Sequence, residues 1–285
     1  MAARKLDRRH FIKSSALLSS LAAAGRLPLL GAEPGNGSGI DAATGPAAVK
    51  PIRGHLAQFA PVAEGPANRQ NYTLTYDIVH WDGVGRRARK TANSVLGSLA
   101  VSRRKRDGQV RYEVTQRTRF GGVDNIVEAQ IVCAADQLNS LRSWRMHSYG
   151  RQPSGEAVPL SELTETGRNR QGRIQISDAG YRYAFTATRP VVSQWTVLDF
   201  LVRHATEGTV ASFDLLQDLS LFKADQKLVC DGVVSVPVKG GRTVELTAYA
   251  QTGEGVLPIH YLLDEQRRPQ LVTGSLVSWA LSGLS

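Results

Sequence analysis

From Asn71 onward the chain alternates apolar and polar residues with a period of two, and pairs of turn-forming residues interrupt the alternation at short intervals. Successive side chains of a strand point to opposite faces, so such a pattern commits most of the chain to half-buried β structure. In the first segment Tyr72, Leu74, Tyr76 and Ile78 share one face while Thr73, Thr75 and Asp77 share the other. After a basic loop over 83–90, a second strand over 93–106 meets Asp107-Gly108, whose tolerance of positive φ suits a type I′ hairpin turn. Residues 109–120 turn Val110, Tyr112 and Val114 inward and end at Gly121-Gly122; residues 123–134 then put Val127, Ala129, Ile131 and Cys133 on the core face. A fifth, more mixed strand covers 139–149. Residues 150–170 are polar and carry Gly and Pro, which reads as an excursion from the sheet. Strands return at 172–177 and, with Tyr181, Tyr183 and Phe185 on one face, after a turn at 178–180.

One segment breaks the period. After Pro190, Ser193 is placed to cap a helix over 194–205, in which Trp195, Leu198, Leu201, Val202 and Ala205 recur at three- and four-residue steps and form one apolar stripe. Such a stripe must be buried against a sheet. Strands resume at 209–216, 228–239, 242–251, 257–264 and 269–281; the third of these aligns Val244, Leu246, Ala248 and Ala250. The fold class is mainly β: a curved antiparallel meander sheet of about twelve strands, a half-barrel or open barrel, packing on one amphipathic helix.

A helix at 195–205 behind many strands, followed by the closing hairpin Tyr261-Leu262-Leu263-Asp264 and Arg268-Pro269, resembles the lipoprotein-carrier type of periplasmic half-barrel. The resemblance implies a concave face that receives an apolar ligand. Its candidate lining is Trp195, Leu198 and Leu201 from the helix with Val244 and Leu246 from the strand over 242–251.

The N-terminal quarter is different. Residues 33–70 hold Gly35-Asn36-Gly37-Ser38-Gly39 and several X-Pro pairs, too little apolar surface to offset ordering entropy, so they read as a flexible linker with at most a short docked piece around 56–59. Before it, Arg8 and Arg9 stand ahead of Phe11 and Lys13, followed by small and apolar residues to Ala24. Residues 7–24 resemble a twin-arginine export signal, with Asp7 and Ile12 as departures from the family pattern. The resemblance implies the twin-arginine translocation machinery as a partner, folding before export, and a periplasmic destination, membrane-anchored if the signal is not cut. The domains expected are a signal region over 1–32, a linker over 33–70 and a single β-rich domain over 71–285.

Export reframes the charge. Of the net charge of +10, residues 1–32 account for +5 with six basic residues and one acidic one. The remainder is only modestly basic, and an exported chain has little call to meet nucleic acid. Cys133 and Cys230 are far apart in sequence; they read equally as a disulfide, stabilising by roughly 3–5 kcal/mol, or as two buried thiols.

No nucleophile elbow, HExxH, phosphate-binding loop or dinucleotide fingerprint is present. His55, His80, His147, His204 and His260 are scattered singly, so no metal or other cofactor is expected. Asp214 with Asp218, and Asp124 with Glu128, are the candidate carboxylate pairs for acid-base chemistry. The basic clusters are Arg86, Arg87, Arg89 and Lys90; Arg103 to Arg106; and Arg111, Arg117 and Arg119. They read as solvated tips or as an attraction to an anionic envelope surface. Trp81, Trp144, Trp195 and Trp279 read as core residues or cavity walls. The function expected is an exported, non-enzymatic domain binding an apolar or amphiphilic ligand or an envelope protein. The alternatives are an exported hydrolase or carbohydrate-active enzyme with an unrecognised site, and an accessory subunit exported with a partner.

Overall fold

The computed structural model describes residues 47–65, 70–82, 93–178, 180–274 and 276–285. Its strands are β1 (Tyr72–His80), β2 (Val95–Arg106), β3 (Gln109–Phe120), β4 (Val123–Cys133), β5 (Leu141–Arg151), β6 (Leu163–Arg170), β7 (Arg173–Ser177), β8 (Arg182–Thr186), β9 (Val191–Val192), β10 (Val210–Gln217), β11 (Leu221–Val238), β12 (Arg242–Thr252), β13 (Ile259–Leu263), β14 (Pro269–Gly274) and β15 (Val277–Leu284). All lie in one sheet, in the order β8-β7-β6-β5-β4-β3-β2-β1-β15-β14-β13-β12-β11-β10-β9. The chain meanders outward from β1 to β8, crosses to the opposite edge, and returns hairpin by hairpin until β15 pairs with β1. Only β9 with β10 is parallel, because the helix α2 (Gln194–His204) forms the crossover between them.

The sheet therefore has fifteen strands where about twelve were expected, and each extra one has a physical reason. The last part of the expected excursion over 150–170 is β6, paired with β5 and β7. Its inner face needs little apolar surface: at Gly167 an added Cβ would lie 2.0 Å from the Trp144 indole, which packs flat on the backbone there. The two-residue β9 is too short to show a period. The segment over 269–281 divides into β14 and β15 at a tight turn, with Gly274 opposite Val277. Residues 269–273 of β14 are buried on both faces, which hides the period.

The helix starts as its sequence requires. The Ser193 hydroxyl accepts the Thr196 N–H at 3.2 Å, and the Thr196 hydroxyl accepts the Ser193 N–H at 3.0 Å, a reciprocal capping box. It does not pack by one stripe, as an amphipathic helix would, because every residue from Gln194 to Val202 is buried. The sheet curls round it and covers the polar side as well. The inner core joins Trp195, Leu198 and Leu201 to Leu74, Tyr76, Ile131, Trp144, Ile176 and Phe213. The two wings of the sheet meet through side chains: Phe185 of β8 stacks on Phe222 of β11 at 5.4 Å, and Glu165 of β6 accepts the Ser220 hydroxyl.

A second, smaller core lies on the outer face. A 3-10 turn over Ala47–Ile52 and the short helix α1 (Arg53–Leu56) set Val49, Ile52, Leu56 and Phe59 on Val79, Val236, Val238, Leu246, Leu262, Leu271 and Ala280. Regular structure over 47–56 thus lies inside the span expected to be a flexible linker and extends beyond the docked piece expected around 56–59. Its four apolar residues suffice because the sheet already presents a flat apolar patch. Arg8, Arg9, Phe11 and Lys13 lie outside the described residues, as does the basic loop 83–90.

Candidate functional site

A dense convergence of polar side chains centres on Asp199, in the middle of α2. Asp199, 1 % exposed, forms ion pairs with the Arg103 Nε at 2.7 Å on one carboxylate oxygen and with the Arg203 Nε at 2.7 Å on the other. The Tyr72 hydroxyl donates to the first oxygen; the Tyr112 hydroxyl, at 2.8 Å, and the Asn139 amide donate to the second. One helix residue thus collects donors from β1, β2, β3 and the β4–β5 loop. Burial, and then the neighbouring Asp199 carboxylate, push both tyrosine hydroxyls far above their ordinary range. Arg103 was expected at a solvated hairpin tip; it is 3 % exposed and faces the helix. The alternation that gives β2 its inner Val101 continues to position 103, so an arginine lands on the core face and finds its counter-charge there.

Beside this cluster the sheet leaves a hollow open. It measures about 280 Å³ and lies between Tyr72 and Leu74 of β1, Val202 of α2 and Leu284 of β15, with Arg268, Gln266, Ala63 and Gly65 around its rim. The strap over 61–65 is fixed across it by Gln270, whose amide accepts the Val62 N–H at 3.0 Å and donates to the Val62 carbonyl at 2.9 Å. Arg268 is held by Asp264 at 2.6 Å and donates to the Ala63 carbonyl. The floor is therefore apolar, one cation stands at the rim, and the strap sets the width.

The five residues expected to line one cavity do not converge. Trp195, Leu198 and Leu201 are 0–1 % exposed in the inner core. Val244 and Leu246 point the other way, into the outer core beneath α1. The clean alternation of β12 is real, but its apolar positions serve the outer face while Tyr249 and Gln251 face inward. The concave face is filled by α2 itself. Cys133, buried on β4, and Cys230, half-buried on β11, are both free thiols, so the disulfide alternative is not realised: the two strands belong to opposite wings of the sheet.

The carboxylate pairs are also taken up separately. Asp214, 1 % exposed, accepts the backbone N–H groups of Thr188 and Arg189 on one oxygen and of Asp225, at 3.0 Å, on the other. Asp218 is clamped by Gln194, which donates to its carboxylate at 2.7 Å and accepts its N–H at 3.0 Å; burial pushes its pKa up. Asp124 is bound by Arg119 at 2.6 Å and by Arg117, which hold it well below the usual carboxylate range, while Glu128 accepts the Tyr149 hydroxyl. Sequence reading missed Glu165, a buried acid on β6 that accepts from Tyr183 and Ser220 and whose pKa burial raises. Among the described residues no group of three or more His, Cys, Asp or Glu side chains could hold a metal ion, and no helix is long and apolar enough to cross a membrane.

No protein-family model matches the chain, and no curated protein matches it. Among solved structures, a DUF1089 family protein from Pseudomonas aeruginosa is similar over 63 % of this chain and 86 % of its own, at 16 % identity and a TM-score of 0.32, a likeness too slight to carry an argument.

Proposed function

We propose that the protein is an exported, non-enzymatic domain that binds the apolar end of an amphiphilic ligand in the hollow that its sheet leaves open. The observation that carries this reading is the hollow bounded by Leu74, Val202, Leu284 and the Tyr72 ring, with Arg268 at its rim. Its volume, about 280 Å³, suits part of an acyl chain rather than a whole lipid. Burying apolar surface there is favourable by about 25 cal/mol per Å², and the ligand's polar end would stand at the rim, where Arg268 is already paired with Asp264. The concave interior, where the carrier resemblance places a ligand, is already occupied by α2, so carriage moves to the mouth. The twin-arginine resemblance of residues 7–24 supports export, and the anchor or cleavage outcome goes with that signal. The hydrolase reading has less support because the candidate carboxylates are taken up separately, Asp214 by three backbone N–H groups and Asp124 by Arg117 and Arg119.

Titration with a short-chain anionic amphiphile such as decanoate, followed by calorimetry, tests the site. Binding to the wild type and its loss in Val202→Trp, which fills the hollow from a residue 8 % exposed at its wall, is the expected result. Equal binding by a folded Val202→Trp variant would place the ligand elsewhere.

A further inference from the structure

Among the described residues, a group of unpaired arginines lies apart from the basic clusters that the sequence displays. Arg103 is buried, and Arg117 and Arg119 are spent on Asp124. On the outer face of the β5–β8 wing, however, Arg145, Arg168, Arg170, Arg173 and Arg182 are all exposed. Among the described residues none of the five is ion-paired. Strand register arranges them in rows: Ser143, Arg168, Gln175 and Ala184 across four strands; Arg145, Thr166, Ser177 and Arg182 next to it; and Arg170, Arg173 and Thr186 on the other side of the first. No Asp or Glu stands in these rows.

Between the first two rows runs a line in which Trp144, Ile176 and Tyr183 turn their side chains to the core and Gly167 has none. On the outer face that line is bare backbone, so a transverse groove of about 630 Å³ opens there, walled by Ser143, Thr166, Arg168, Gln175, Ser177 and Arg182. The Arg168 Nε donates to the Gln175 Oε1 at 3.1 Å, which steadies the guanidinium and leaves its terminal nitrogens to a ligand. Neighbouring strands lie about 4.8 Å apart, so Arg168 on β6 and Arg182 on β8, the two arginines that line the groove, stand two strands or roughly 10 Å apart along it, with Arg145, Arg170 and Arg173 on the same face around it.

We infer that this groove binds an anionic polysaccharide of the polyuronate type. Guanidinium groups take carboxylates in bidentate fashion, and the hydroxyl and amide side chains between them suit sugar hydroxyls. A chain molecule can enter a narrow concavity that a flat lipid surface cannot. The rows carry no aromatic side chain on which nucleic-acid bases would stack. The site is separate from the hollow at the barrel mouth and does not depend on it.

The test is calorimetric titration of the full chain with a defined oligouronate, its fully methyl-esterified counterpart, and anionic phospholipid vesicles. Binding of the charged oligomer that weakens at high ionic strength, absent for the ester, is expected. Arg168→Gln with Arg182→Gln should weaken it at least tenfold, while Arg111→Gln on β3 leaves it unchanged, with the unfolding temperature of all variants as wild type. Equal affinity for the ester, undiminished binding by the double variant, or binding to vesicles in place of the oligomer would each overturn the inference.

Discussion

Asp199 shows how a single side chain can organise a wing of the molecule. It accepts from Tyr72 and Tyr112, pairs with Arg103 and Arg203, and is 1 % exposed, so its removal strands two guanidinium groups, one of them buried. Removing one partner of a buried ion pair costs roughly 3–5 kcal/mol, against about 1.5–3 kcal/mol for one hydrogen bond to a charged group. Asp199→Ala should therefore destabilise by the larger amount and Tyr72→Phe by the smaller, read from urea unfolding midpoints at constant slope. Equal, small losses would mean that the cluster is not the anchor of α2. Nothing in the sequence marks Asp199, because it stands on what looks like the solvent side of an amphipathic helix.

At the scale of elements, the meander, its hairpins and the capped helix are legible because each is set by local chemistry. Asp107-Gly108 makes the β2–β3 turn with both residues at positive φ, and Ser193 caps α2. What sequence cannot show is which face of a strand is covered by what. The alternation of β12 gave a correct strand and the wrong side, because α1 supplies an outer core from a stretch that looks like linker. The polar β6 was hidden because Trp144 covers its inner face, so Gly167 and Glu165 stand where apolar residues would advertise a strand. Glu165 also joins the two wings of the sheet, with Tyr183 on its own wing and Ser220 on the other. Burial raises its folded-state pKa above the ordinary 4.5, so the folded state keeps a proton that the unfolded chain has lost. That contribution to stability is present below 4.5 and is lost as pH rises through the raised value; Asp218 acts in the same sense. Glu165→Gln should flatten the fall of unfolding free energy across this window in a pH series of urea titrations. A slope identical to the wild type would remove Glu165 from the energetics of that junction.

At the scale of the whole molecule, the sheet has curled round its own helix, leaving a filled interior, a strapped mouth and a broad outer surface. The hollow at the rim and the groove on the outer face are concavities of the described residues, and the buried acids Asp199 and Asp214 are each bound by several donors. The proposed carriage of an amphiphile in the hollow beside Val202 is checked by native mass spectrometry of the full chain after secretion from a bacterial host, with organic extraction of anything bound. An amphiphile at one-to-one stoichiometry in the wild type, missing from Val202→Trp, is expected. Wild-type protein recovered empty, or a ligand retained by both, would contradict it.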